Sequence, residues 1–97
     1  GGYKMKYLQT AKVLVPAGVL IRELEGESVL LNINSETYFG LDEIGTRMWQ
    51  LLTTCESIRA AYKSLLLEYD VEPEKLYQDL ESLIEKLVEH GLLEVLG

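Results

Sequence analysis

Cysteine, histidine and basic charge are scarce in this 97-residue chain, and each scarcity removes a class of function. Cys55 is the single cysteine, so no intramolecular disulfide can form and a thiolate metal cage is excluded. The one histidine, His90, lies far along the chain. With Cys55 in a turn and His90 near a helix end, the pair reads as turn and cap residues rather than nucleophile and base. Metal sites need clustered ligands, and none are spaced for one. Gly40 and Gly45 are isolated and lack the Lys-Ser/Thr of a phosphate loop. Asp42-Glu43 reads as a helix cap with a first-turn charge rather than a catalytic carboxylate pair. No catalytic residue, metal or cofactor is therefore expected. Lysine and arginine number 9 against 16 acids, a net charge of −7. Lys4, Lys6 and Lys12 give the first twelve residues +3, leaving about −10 on the rest. Such a surface repels phosphate backbones, although acidity also serves solubility alone. No apolar run approaches the roughly 20 residues needed to span a bilayer. The start lacks the apolar core and cleavage site of a signal peptide, so a cytoplasmic protein is expected, without nucleic-acid or membrane partners.

What is present divides into a β half and an α half. With 47% hydrophobic residues the chain can bury one core, and a single domain over 1–97 is expected, with a flexible segment over 1–12. Val13–Pro16 is a short extended segment. Val19–Leu24 and Ser28–Ile33 read as strands joined by a Gly-containing turn at Glu25-Gly26-Glu27, and Asn34-Ser35-Glu36 turns into a third strand, Thr37–Leu41. After Leu41 the apolar period changes to 3.6. Asp42 caps a helix with Ile44, Met48, Trp49 and Leu52 on one face. A second helix starts near Ser57, with Ser57 or Thr54 as its candidate cap, and carries Ile58, Ala61, Tyr62, Leu65, Leu66 and Tyr69. Pro73 fits the first turn of a third, whose stripe is Leu76, Leu80, Leu83, Ile84, Leu87 and Val88, and Gly91 is its natural stop. The predicted class is α+β: a three-stranded antiparallel sheet followed by three helices, resembling a winged helix-turn-helix.

The third strand should be a sheet edge. Alternation puts Thr37, Phe39 and Leu41 on one face and Tyr38 and Gly40 on the other. It carries neither proline nor lysine, the usual blocks to strand addition, so its free N–H and C=O groups can accept an extended peptide. A third helix lying alongside would wall a groove with Leu76, Leu80, Leu83 and Leu87, while Asp79 and Glu72 could pair with basic peptide side chains. The plainer alternative is a core stripe and an ordinary solvated edge. Two other readings stay open: an acidic transcription-related winged helix, and a dimerisation module using the same edge. The first is disfavoured by the third helix, where Glu72, Glu74, Asp79, Glu81, Glu85 and Glu89 outnumber Lys75 and Lys86.

Val29-Leu30-Leu31-Asn32 and the run from Thr37 to Leu52, with Gly45 and Trp49 inside it, resemble the PqqD-like family. Tyr69-Asp70-Val71, Asp79-Leu80, Leu83, Leu87 and Gly91-Leu92-Leu93 fit that family's closing pattern, so the resemblance covers about residues 16–94. It implies a recognition element for ribosomally made, modified peptides, in which a precursor leader adds beside the third strand against the third helix. Thr37, Tyr38, Phe39, Gly40, Leu76, Asp79, Leu80 and Leu83 become candidate peptide contacts, with Trp49 a core aromatic and Gly45 allowing close helix–sheet packing. The chain looks most like the leader-binding half of a split lasso-peptide B protein. Its implied partners are the leader peptide, a leader peptidase of the cysteine-protease type and an ATP-dependent cyclase, with the chain itself a monomer or weak dimer. A quinone-cofactor pathway with a radical-SAM partner is the alternative within the family.

Overall fold

The computed structural model describes residues 11–97. Most of the flexible segment expected over 1–12 lies outside the described residues, as do Lys4 and Lys6. Ala11 is buried, and Lys12 opens the first strand.

The elements run β1 (Lys12–Leu14), β2 (Val19–Leu24), β3 (Glu27–Asn32), β4 (Thr37–Leu41), α1 (Glu43–Thr54), α2 (Ile58–Glu68), α3 (Pro73–Glu89) and β5 (Glu94–Leu96). β2, β3 and β4 form the expected antiparallel meander in that order, followed by three helices. The β2–β3 connection is a two-residue turn in which Glu25 and Gly26 both take positive φ, 54° and 85°. That geometry matches the right-handed strand twist, and Gly26 adopts it without Cβ strain. The sequence did not reveal β5. It pairs antiparallel with β1, Val13 opposite Val95, in a separate two-stranded sheet. The apolar pair Leu92-Leu93 that precedes it is fully buried. A three-residue strand has too little periodicity to stand out, and its partner lies at the other end of the chain.

The core fills the space between the helices and one sheet face. Ser28, Leu30 and Asn32 of β3 alternate inward, and Leu41 joins them from β4. Met48, Trp49, Leu52, Ile58, Leu65, Leu80, Ile84 and Leu87 close it from the helices. The Ser28 and Thr46 hydroxyls bond each other at 2.8 Å in the buried sheet–α1 contact, so neither is left unsatisfied there. Tyr62 and Tyr77 meet edge to face at 5.3 Å, and the Tyr62 hydroxyl donates to the Pro73 carbonyl at 3.0 Å, joining α2 to the start of α3. Ile44 and Val88, expected on buried stripes, are instead about half exposed. Each lies at the margin of its stripe, where the helix surface turns away from the core.

The helix ends follow the predicted chemistry. Asp42 accepts from the Gly45 amide at 2.8 Å, and Ser57 from the Ala60 amide at 3.0 Å. α3 ends in a Schellman arrangement: Leu92 N–H donates to Leu87 O and Gly91 N–H to Val88 O, with Gly91 at φ 71°. Among the described residues no helix is long and apolar enough to cross a membrane.

Candidate functional site

Among the described residues β4 has β3 on one side only and no strand on the other, as expected of an edge. Its side chains alternate as the sequence required: Thr37 and Phe39 half-buried, Tyr38 and Gly40 exposed, Leu41 buried. α3 runs beside this edge. Between them lies a groove of about 430 Å3 lined by Phe39, Gly40, Leu41, Asp42 and Gly45 on one side, and by Asp79, Ser82, Leu83 and Lys86 on the other.

The structure therefore brings together Phe39, Gly40, Asp79 and Leu83 of the candidate contacts. Tyr38 stands on the same edge but on the opposite sheet face, 70% exposed. Thr37 sits at the start of the edge, its hydroxyl 2.9 Å from that of Ser35. Leu76 and Leu80 are placed differently from the expectation. They are 4% and 0% exposed, belong to the core and do not line the groove. The reason is rotational. The apolar stripe of α3 faces the body of the protein, and the groove is lined by the flank of that stripe, positions 79, 82, 83 and 86. Those positions are spaced i, i+3, i+4 and i+7, so they share one helix face. The border between apolar and polar faces was the available signal. It pointed to Ser82 and Lys86, which the sequence reading passed over.

Leu83 is the half-buried residue of that flank, its side chain shared between core and groove. Asp79 is held by Lys75 one turn earlier, Nζ to Oδ1 2.9 Å, with both side chains largely in solvent. An exposed pair of this type contributes little and exchanges partners readily, so Asp79 is open to a basic ligand group. Lys86 offers the opposite charge across the same face. Glu72 caps α3 by its backbone and makes no side-chain cap bond.

Two contacts fix how α3 sits against the sheet. Phe39 and His90 meet edge to face at 5.2 Å, and His90 Nδ1–H donates to the Lys86 carbonyl at 2.7 Å. Asn32 is the second brace. Its side-chain Nδ2 donates to the Gly91 carbonyl at 2.7 Å, and its Oδ1 accepts from the amides of Asn34 and Ser35 at 2.9 and 3.2 Å. One buried amide thus ties the C-terminal end of α3 to β3 and to the turn that leads into β4. Nothing local to Asn32 in the sequence announces a partner at residue 91.

Away from the groove, Arg47 and Glu68 form a two-pronged ion pair between α1 and α2, at 2.7 and 2.6 Å. Their mutual hydrogen bonds raise the Arg47 pKa and lower that of Glu68. Arg47 also donates to Gln50, which donates to Glu23 of β2, so the network staples both helices to the sheet. Cys55, half-buried, ends α1, its amide donating to Leu51 O. Among the described residues no three His, Cys, Asp or Glu side chains converge as a metal site would require. α3 exposes Glu74, Glu85 and Glu89 beside Lys75 and Lys86, an unsuitable face for a phosphate backbone.

The family model for coenzyme PQQ synthesis protein D (PqqD) matches residues 27–93, which takes in β3, β4 and all three helices. Two solved structures share the fold. TbiB1 in complex with the TbiA(beta) leader peptide is 31% identical with a TM-score of 0.77, over 82% of this chain and 93% of that one. Lasso peptide synthetase B1 complexed with the leader peptide is 23% identical with a TM-score of 0.76, over 86% and 98%. No curated protein matches the chain significantly.

Proposed function

The chain belongs to the PqqD family of non-catalytic peptide-binding domains, and from that premise we propose that it binds the leader segment of a ribosomally made precursor peptide at the β4 edge. The observation that carries this reading is the β4 edge, which no described strand covers, with the α3 groove beside it. A leader hydrogen-bonded along β4 becomes a fourth strand, and every second side chain enters the groove between β4 and α3. Backbone pairing supplies affinity for any extended peptide, while the pockets for alternate side chains supply selection. Phe39 and Leu83 offer the apolar surface, and Asp79 and Lys86 the charged rim. Tyr38 flanks the peptide on the outer face. That both structural relatives were solved with leader peptides supports the leader as the ligand.

The pathway this reading favours is lasso-peptide biosynthesis, supported by the likeness to a lasso synthetase B1. There the chain would present the precursor to a leader peptidase of the cysteine-protease type and to an ATP-dependent cyclase. Two experiments test these levels separately. Short peptides selected from a displayed random library should bind with micromolar or tighter affinity and slow amide exchange at Tyr38–Leu41. Failure to select any peptide, or protection confined to β2, would overturn the binding reading. Co-expression with the genomic neighbours of this chain should then recover a peptidase and a cyclase; recovery of a radical-SAM enzyme instead would remove the lasso assignment and leave the binding site standing.

A further inference from the structure

Nothing inside the described chain accounts for a glycine at position 40. Its φ lies outside the left-handed region, and a Cβ built on it meets no atom within 4 Å. Within a strand, glycine lowers stability and commonly marks a place where another group approaches closely. That group is not supplied by the described residues.

The strand register identifies the space Gly40 leaves open. Gly40 pairs with Val29, and Val29 with Arg22, forming one row across the sheet face that points away from the helices. The next row is Tyr38, Leu31 and Leu20. This outer face is apolar, and no described element covers it: Val29 is 47% exposed, Tyr38 70% and Leu24 75%. A hollow of about 530 Å3 lies over it, bounded by Arg22, Leu24, Glu27, Val29, Gly40 and Asp42. It meets the α3 groove at Gly40, Leu41 and Asp42, so the far end of β4 has a hollow on each face.

Side chains of an added strand alternate between those two hollows, and a residue paired with Gly40 points to the outer face, as Gly40 itself does. Strands lie about 4.8 Å apart, so Val29 is about 10 Å from the backbone of that residue, two strands in. A small side chain stops short of Val29. An aromatic one spans the gap, but only where no Cβ stands between. Resting on the strand-addition reading above, we infer that Gly40 is a specificity-determining position, selecting an aromatic side chain at the ligand residue paired with it. The ring lies flat across Gly40 and packs on Val29, between Tyr38 and Leu24. A ring in this place restores the apolar cover that a strand glycine lacks, the same device by which cross-strand aromatics stabilise glycines in sheets. Any polar tip it carries faces Arg22 or Glu27.

The test compares peptide selections, from one displayed random library, on the wild type and on Gly40→Val. Valine favours strands and its Cβ meets no atom within 4 Å here, so the variant should melt at or above the wild-type temperature, which separates specificity from folding. The wild type should select peptides with an aromatic residue at one outward position. Gly40→Val should replace that residue by a small one while keeping the inward residues of the consensus. Alanine at the aromatic position should weaken wild-type binding about tenfold or more, and Gly40→Val binding by less than about twofold. The same aromatic preference in both selections would overturn the role of Gly40 and leave strand addition intact. No selected peptide at all, or exchange protection away from β4, would overturn strand addition and this inference together.

Discussion

Replacing Asn32 probes the brace between α3 and the β3–β4 turn. Its side chain is 8% exposed and makes three hydrogen bonds, one of them to the Gly91 carbonyl at 2.7 Å. Each such bond contributes on the order of 0.5–1.5 kcal/mol net, and water can replace those to the exposed turn amides. Asn32→Ala should therefore destabilise the fold by about 2 kcal/mol. For a domain of this size that lowers the melting temperature by roughly 8–16 °C. Asn32→Asp is the sharper variant. The carboxylate still accepts from the Asn34 and Ser35 amides, but it sets an oxygen against the Gly91 carbonyl where Nδ2 donated. Facing an acceptor raises that carboxyl above its unfolded value, so the folded state holds the extra proton. Stability of Asn32→Asp relative to wild type should then recover as the pH falls through the raised value, because the protonated acid donates to Gly91 O. Urea unfolding between about pH 7 and pH 4 measures this. Peptide binding should weaken in both variants at neutral pH, since the far end of α3 is no longer pinned to the sheet. An Asn32→Ala protein melting within about 2 °C of wild type would refute the brace. So would an Asn32→Asp deficit that ignores pH.

Further outcomes follow from other contacts. Gly91→Ala forces a Cβ into positive φ and to within 3.2 Å of Asn32 Nδ2, and should destabilise by about 1–2 kcal/mol in the same unfolding assay. Leu83→Asp puts a carboxylate into the groove and partly into the core; a loss of about 2 kcal/mol or more by thermal melting should accompany the loss of peptide binding. Asp79→Ala removes an exposed ion pair whose Lys-before-Asp order is the weaker one. Melting should shift by no more than about 3 °C, while binding of peptides with a basic inward residue drops and loses salt dependence. The Glu68 carboxyl is held below its ordinary value chiefly by its hydrogen bond to Arg47, so its contribution is present above about pH 4.5 and lost as the pH falls through the lowered value. The stability gap between wild type and Glu68→Gln should accordingly narrow on acidification, measured by urea unfolding at low salt.

The sequence by itself determined the order of the three meander strands and the three helices, because each rests on local chemistry. The period-2 strands, the 3.6-residue stripes, the caps at Asp42 and Ser57, Pro73 at the start of α3 and Gly91 at its end all act within a few residues of where they stand. The openness of the β4 edge was legible for the same reason: no proline or lysine guards it, and no later strand is long enough to cover it. Tertiary structure decided which flank of α3 faces that edge. A helical stripe states which side is apolar, but its rotation against the sheet depends on contacts such as Phe39 with His90 and Asn32 with Gly91, which join residues about fifty or more apart. Hence Leu76 and Leu80 went to the core while Ser82 and Lys86 line the groove. The β1–β5 pair depended likewise on closing almost the whole chain into a loop, which no short window records. Gly40 stands between the two. Its position in a strand was readable from the pattern, whereas its freedom from every neighbour within the described fold became visible only once the sheet's outer face was in place.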